Sequence, residues 1–169
     1  MDSRLPKLLF VLLVLLAAVR FSYFYPQLPE VVQSHFDGQG NANGWQTKPV
    51  FFAFFVGLTV LAVFVIFGLP ALIRALPAEV MNVSNKQYWF GPERREASQQ
   101  FVSSWFAWFG CAVFLVGCYA FDYAAKSNLR PRDRPDATQF AYVLIMFFVF
   151  TVVWIIRVFR RFARISQND

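Results

Sequence analysis

The sequence predicts an all-α fold, a four-span transmembrane helical bundle with both termini in the cytoplasm. Of its 169 residues, 57% are hydrophobic and only 15% are charged, which does not suit the surface of a soluble domain. The apolar residues also fall into long blocks, and a helix needs about 20 of them to cross a hydrocarbon core of about 30 Å. Blocks without charges form helices in lipid because a helix satisfies its own backbone hydrogen bonds.

Four blocks pass this length test, within a single membrane domain that we assign to residues 1–169. The predicted spans are residues 8–25, 50–73, 101–121 and 140–156. The first block alternatively suits a signal peptide, because Arg4 and Lys7 precede a short Leu-rich stretch. Its aromatic residues continue to Tyr25, however, so we expect the segment to be retained as a span.

The flanking Lys and Arg residues predict the orientation, because cytoplasmic loops carry an excess of them. With the N-terminus inside, ten basic residues lie on the cytoplasmic side and five on the opposite side. The ratio favours two cytoplasmic termini. The basic residues that flank the spans also account for the net charge of +6, and no recognition module for nucleic acid is visible. We therefore expect no nucleic acid as a partner.

The two longer loops differ in character. The first, residues 26–49, contains three glycines among Asp and Asn residues and is predicted to be a turn-rich, polar connection. The second contains Gly91-Pro92-Glu93, where a proline suited to a first helical turn is followed by an acid, so the third helix is predicted to start there. Arg94 and Arg95 would then lie at the inner headgroups.

Both loops contain segments that resemble a known family. The outer-loop motif consists of Leu28, Pro29, His35, Phe36, Asp37, Gly40, Asn43, Gly44, Trp45 and Lys48. The inner-loop motif consists of Asn82, Asn85, Lys86, Tyr88, Trp89, Pro92, Arg94 and Arg95. Together they resemble the bacterial membrane family called domain of unknown function 1648, in which aspartate is common at the place of Asn43.

This resemblance implies location more than activity. The same domain occurs in larger Sdp-type toxin-immunity membrane proteins, which have additional spans. The resemblance therefore implies a bacterial inner-membrane protein that recognises a partner or a membrane-active peptide, and it transfers no catalytic residue.

His35 is the single histidine of the chain, and it has two interpretations. With Asp37 it could form an acid-base or pH-sensing pair, and with Lys48 it would be the best candidate for a catalytic group. The alternative is that His35 only fixes the loop. We expect no enzymatic activity, because a third member of a catalytic constellation is not evident.

Arg20 is the only charge inside a predicted span, and a charge in lipid costs about 2.5 kcal/mol or more at mid-membrane. Its position near the helix end allows the side chain to reach the headgroups. The alternative is an interhelical ion pair with Asp122.

A separate basic stripe, of residues three or four apart, is expected either to anchor the fourth span or to bind lipid or a partner. It consists of Arg157, Arg160, Arg161 and Arg164.

These observations together predict a non-catalytic integral membrane protein of the bacterial plasma membrane that acts by interaction. Its role would be that of an immunity-like factor or an accessory subunit of a membrane complex, and the alternative is a small oligomeric transporter or channel. We expect membrane lipids and a protein partner or a second copy as partners, with no cofactor. We also expect no metal, because Cys111, Cys118 and one histidine are too few ligands for the usual zinc site.

Overall fold

The computed structural model describes residues 3–130 and 136–163. Within these ranges, four helical segments are long and apolar enough to cross a membrane. They are Arg4–Gln27, Lys48–Ala75, Arg95–Leu129 and Ala137–Ala163. The prediction of a four-span helical bundle is confirmed, and the chain is a multi-pass membrane protein.

Three of the spans are built on one continuous helix each. Helix α1 covers Arg4–Phe24 and ends in a short 3-10 turn, Tyr25–Gln27. In the second half of the chain, α5 covers Arg95–Leu129 and α6 covers Ala137–Ala163. The helices extend beyond the predicted apolar blocks because their ends continue into polar flanks.

The second span is interrupted by a wide turn. It consists of α2 (Lys48–Val63), a π-helical segment (Phe64–Gly68) and α3 (Leu69–Ala75). The Leu69 N–H bonds to the carbonyl of Phe64, five residues earlier, and the next residue, Pro70, has no N–H to donate. The proline therefore explains why the regular helical pattern breaks here.

Helix α5 is the centre of the bundle, and the other spans pack around it. Its glycines permit close approach. A Cβ atom added at Gly110 would lie 2.3 Å from Ile66, and one added at Gly117 would lie 2.0 Å from Leu58. Small residues have this role between membrane helices, where packing replaces the hydrophobic effect as the driving force. On another side of α5, the rings of Trp105 and Trp154 stack.

The first loop contains a structure that the sequence analysis missed. Two antiparallel strands, β1 (Val31–Phe36) and β2 (Ala42–Thr47), form a hairpin at the end of the bundle where α1 and α5 terminate. The prediction of a merely turn-rich connection is therefore wrong, although the turn itself is present. The register shifts on either side of His35, as at a β-bulge.

The second loop also differs from its prediction. It folds into a 3-10 turn (Ala78–Val80) and a short helix, α4 (Lys86–Phe90). The N–H groups of Arg94 and Arg95 bond to the carbonyl of Gly91, so the segment with Pro92 is a turn. Helix α5 begins at Arg95, three residues later than predicted.

Candidate functional site

The tip of the hairpin is held by one carboxylate. Asp37 Oδ1 accepts hydrogen bonds from the backbone N–H groups of Asn41 and Gln39, at 2.8 and 2.9 Å. Gly40 adopts a positive φ of 80°, a conformation that favours glycine. The backbone N–H of Asn41 is the largest cause that lowers the pKa of Asp37 below its ordinary value of 3.8. Asp37 therefore organises the turn in its ionised form.

The hairpin is fixed to α5 by a side-chain amide. Asn128 Oδ1 accepts the N–H of Gln33 at 2.9 Å, and its Nδ2 donates to the carbonyl of Gln33 at 3.0 Å. The amide thus takes the place of a neighbouring strand along β1. Below it, Val32 is fully buried in the apolar core, and Phe36 meets Tyr123 edge to face. These contacts join the strands to the bundle as one unit.

Asn128 was not among the predicted site residues. It lies 95 residues from Gln33 in the chain, and no local pattern marks an asparagine in the last turn of a helix as the anchor of a distant strand. Only the fold brings the two residues together.

Lys48 holds the chain where α1 ends. Its Nζ donates to the carbonyls of Leu28 and Pro26, at 3.0 and 3.4 Å, and lies 5.0 Å from the centre of the Tyr25 ring. Carbonyls at a helix end lack helical partners, and an ammonium group there is stabilising. Leu28 is itself buried in the core beneath the hairpin, and Pro29 follows it at the surface.

The outer face of the hairpin exposes two large apolar side chains among polar ones. Val31 and Trp45 are 58% and 57% exposed, and they are diagonal neighbours because Trp45 pairs with Gln33 across the strands. Asn43 is also exposed on β2. We call Val31 and Trp45 the exposed hairpin patch.

His35 contacts a glycine across the strands, on the face of the hairpin opposite to Trp45. Its Nε2 is 3.4 Å from Gln46 Nε2. A Cβ atom added at Gly44 would lie 2.9 Å from His35 Cβ, so a glycine is needed for the close approach of the two strands. Among the contacts of the described residues, none joins His35, Asp37 and Lys48 to one another, and each has different partners.

The inner-loop motif lies at the opposite end of the bundle, where it holds the end of α6. Trp89 Nε1 donates to the carbonyl of Phe162 at 3.0 Å, and Asn85 Nδ2 donates to the same oxygen at 3.5 Å. Asn85 adopts a left-handed conformation before α4. The Phe162 ring is buried and stacks with Phe90. The motif therefore forms a receptacle for the last helix.

The cations of this motif contact backbone oxygens and rings. Lys86 Nζ donates to the Glu79 carbonyl at 2.6 Å, and the Arg95 guanidinium donates to the Leu76 carbonyl at 3.0 Å. The Arg94 guanidinium lies 4.3 Å from the centre of the Tyr88 ring. Asn82 is exposed in the preceding loop.

The basic stripe is divided between two environments. Arg157 and Arg160 are exposed on α6, whereas the Arg161 guanidinium lies 4.6 Å from the ring centre of Phe101 and 5.2 Å from that of Trp89. Arg164, the fourth residue of the predicted stripe, lies outside the described residues.

The structure brings Arg20 and Asp122 together. The Arg20 guanidinium donates to Asp122 Oδ1, and Lys126 Nζ lies 2.6 Å from Asp122 Oδ2. Lys126 is one helical turn from Asp122 and was not predicted as a member of this cluster. The Arg20 guanidinium also lies 4.9 Å from the centre of the Phe24 ring. Two cations thus share one carboxylate near the hairpin end of the bundle.

Comparison with known proteins finds one family model that is similar to the region of the hairpin. The family model Domain of unknown function (DUF1648) matches residues 12–61, which include most of α1, the whole hairpin and the start of the second span. No curated protein and no solved structure matches the chain. The inner-loop motif lies outside the matched residues. The resemblance predicted from the outer-loop residues is confirmed, because residues 12–61 of this chain match the model of the DUF1648 family.

Proposed function

We propose that this chain is a non-catalytic protein of the bacterial plasma membrane that binds a protein partner through the exposed hairpin patch. Its role would be that of an immunity-like factor or an accessory subunit. The observation that supports the proposal is a hairpin that is anchored on its inner side and exposes Val31 and Trp45 on its outer side. With the N-terminus inside, this patch faces the outside of the cell.

The anchoring favours recognition over a passive loop. Asn128 and the buried Val32 hold the strands against α5, so a partner would meet a surface with little conformational entropy left to lose. Tryptophan is among the residues enriched at the energetic centres of interfaces. The outer edge of β2 has no neighbouring strand among the described residues and offers backbone groups for strand addition.

The roles of the polar loop residues support a non-catalytic function. Lys48 is bonded to backbone carbonyls, and Asp37 is bonded to the turn. Both side chains have structural partners that a catalytic role would have to replace. This leaves the apolar patch as the best candidate for molecular recognition.

The proposal is tested by gentle purification from the native membrane, followed by identification and quantification of associated proteins by mass spectrometry. We expect one stoichiometric protein partner, or a second copy, that is lost in Trp45→Ala. The matched control is Tyr142→Ala, since Tyr142 is a 62% exposed aromatic residue that belongs to α6 and not to the hairpin. Equal retention of the partner by both variants would contradict the proposal. Ion or solute flux through liposomes that contain only this protein would instead support the transporter alternative.

A further inference from the structure

A lateral groove opens between α1 and α6, with α5 as its floor. It has a volume of about 670 Å³, which is within the range of about 300–1,000 Å³ typical of ligand pockets. Its walls are almost entirely apolar, and α1, α5 and α6 all contribute to them. Representative lining residues are Leu13, Leu16, Ala112, Leu115, Met146 and Phe150.

The groove has a charged end and an apolar end. Arg20 and Asp122 line the charged end, and Lys126 is bonded to Asp122 there. The formal charges of these three groups leave one positive charge in excess. The Arg20 side chain is 54% exposed and the Lys126 side chain 35%, so both cations remain accessible while they contact the carboxylate.

The dimensions match one leaflet of a membrane. Ala112 and Asp122 both line the groove and are ten positions apart on α5, which corresponds to about 15 Å along the helix. Half of a hydrocarbon core is also about 15 Å. Arg20 is four residues before the end of α1, or about 6 Å, so its guanidinium lies at the depth of the headgroups.

From this arrangement we infer that the groove binds one acyl chain of an anionic phospholipid, whose phosphate lies at Arg20 and Lys126. The apolar walls suit the chain, and the excess positive charge suits the anionic headgroup. The occupant is a lipid of the surrounding bilayer, since the groove is open at its side to the hydrocarbon. This site is independent of the exposed hairpin patch and of the proposed function.

The test is native mass spectrometry of the full chain in mild detergent with equimolar phosphatidylglycerol and phosphatidylcholine of identical acyl chains. We expect one retained lipid and a preference of about fivefold for phosphatidylglycerol, the effect of one basic residue near an anionic lipid. Lys126→Gln makes the cluster neutral and keeps the Arg20 and Asp122 pair, so this variant should retain the two lipids about equally. Arg157→Gln is the control, because Arg157 is an exposed cation on α6 that does not line the groove.

A second variant tests the groove itself. Ala112→Phe places a ring among the lining side chains and should reduce the retention of both lipids at least threefold, while size-exclusion elution and thermal unfolding remain those of a folded protein. Equal retention of the two lipids by the wild type would overturn the inference. A loss of preference in Arg157→Gln, unchanged retention in Ala112→Phe, or a lipid-free dimer with a helix of the second copy in the groove would also overturn it.

Discussion

Gly40 provides a sharp test of how the hairpin is held. Gly40→Ala would put an L side chain at a φ of 80°, at a cost of about 1–2 kcal/mol. The new Cβ would lie 2.8 Å from Tyr123 Oη and 3.1 Å from Ala137 Cβ. Tyr123 is buried between Phe36 and Phe140 and has little room to move, so overpacking adds about 1–3 kcal/mol.

The unfolded chain partly offsets this cost, because alanine has less conformational freedom there than glycine, by about 0.4–1 kcal/mol. Taking the middle of each range, the net loss in hairpin stability is about 2–3 kcal/mol. Gly38→Ala is the matched control, since Gly38 does not have a positive φ and no atom lies within 4 Å of an added Cβ. It should be neutral or slightly stabilising.

Hydrogen exchange of the backbone amides of Gln33 and Asn41 measures the effect directly. These amides bond to Asn128 and Asp37, so they exchange only when the hairpin opens. A loss of about 2–3 kcal/mol corresponds to exchange that is about 30- to 150-fold faster. If Gly40→Ala and Gly38→Ala exchange at the same rate, the assignment of Gly40 to a strained and crowded position is refuted.

Three further predictions concern the charged groups and the opposite end of the bundle. A double-mutant cycle of Arg20→Ala and Asp122→Ala should give a coupling of about 0.2–1 kcal/mol in unfolding free energy, because Arg20 is more than half exposed. The absence of any coupling would show that the contact does not stabilise the fold. Since the pKa of Asp37 is lowered in the folded hairpin, its contribution is present above its ordinary value of 3.8 and is lost as the pH falls through the lower folded value. Trp45 fluorescence should report this loss, and Asp37→Asn should remove the acid dependence; an unchanged acid transition in that variant would reject the role. Trp89→Phe removes the bond to the Phe162 carbonyl and keeps a ring, so thermal unfolding should show a loss of about 1 kcal/mol, whereas an unchanged midpoint would exclude that bond as a stabilising contact.

The spans were predictable because lipid imposes a strong constraint on length and polarity. A run of uncharged apolar residues such as 140–156 has few alternatives to a membrane helix. The contact of Arg20 with Asp122 follows from the same topology, since both residues lie near helix ends on one side of the bundle. Lys126 adds to this cluster because it is four residues from Asp122 on the same helix face.

The hairpin was not predictable to the same degree. Val31 and Val32 are β-branched and favour a strand, but six residues with one glycine, 42–47, carry too short a pattern for a second strand. The hairpin is bonded to Asn128, and the carbonyl of Phe162 is bonded to Trp89. In both cases the two partners are far apart in the chain. Contacts of this kind are properties of the folded chain that no local spacing encodes.

The π-helical turn of the second span has a consequence for the relation between sequence length and shape. Compared with a regular α-helix, such a turn accommodates one additional residue, and one residue corresponds to a rotation of about 100°. The side chains of α3 therefore point in other directions around the helix axis than they would in an uninterrupted continuation of α2. Deletion of a single residue within 64–68 would restore a regular helix and rotate α3 relative to α2, which would carry Arg74 away from its contact with Arg95. Relatives of this chain with a one-residue gap at this place should accordingly have a differently arranged second loop.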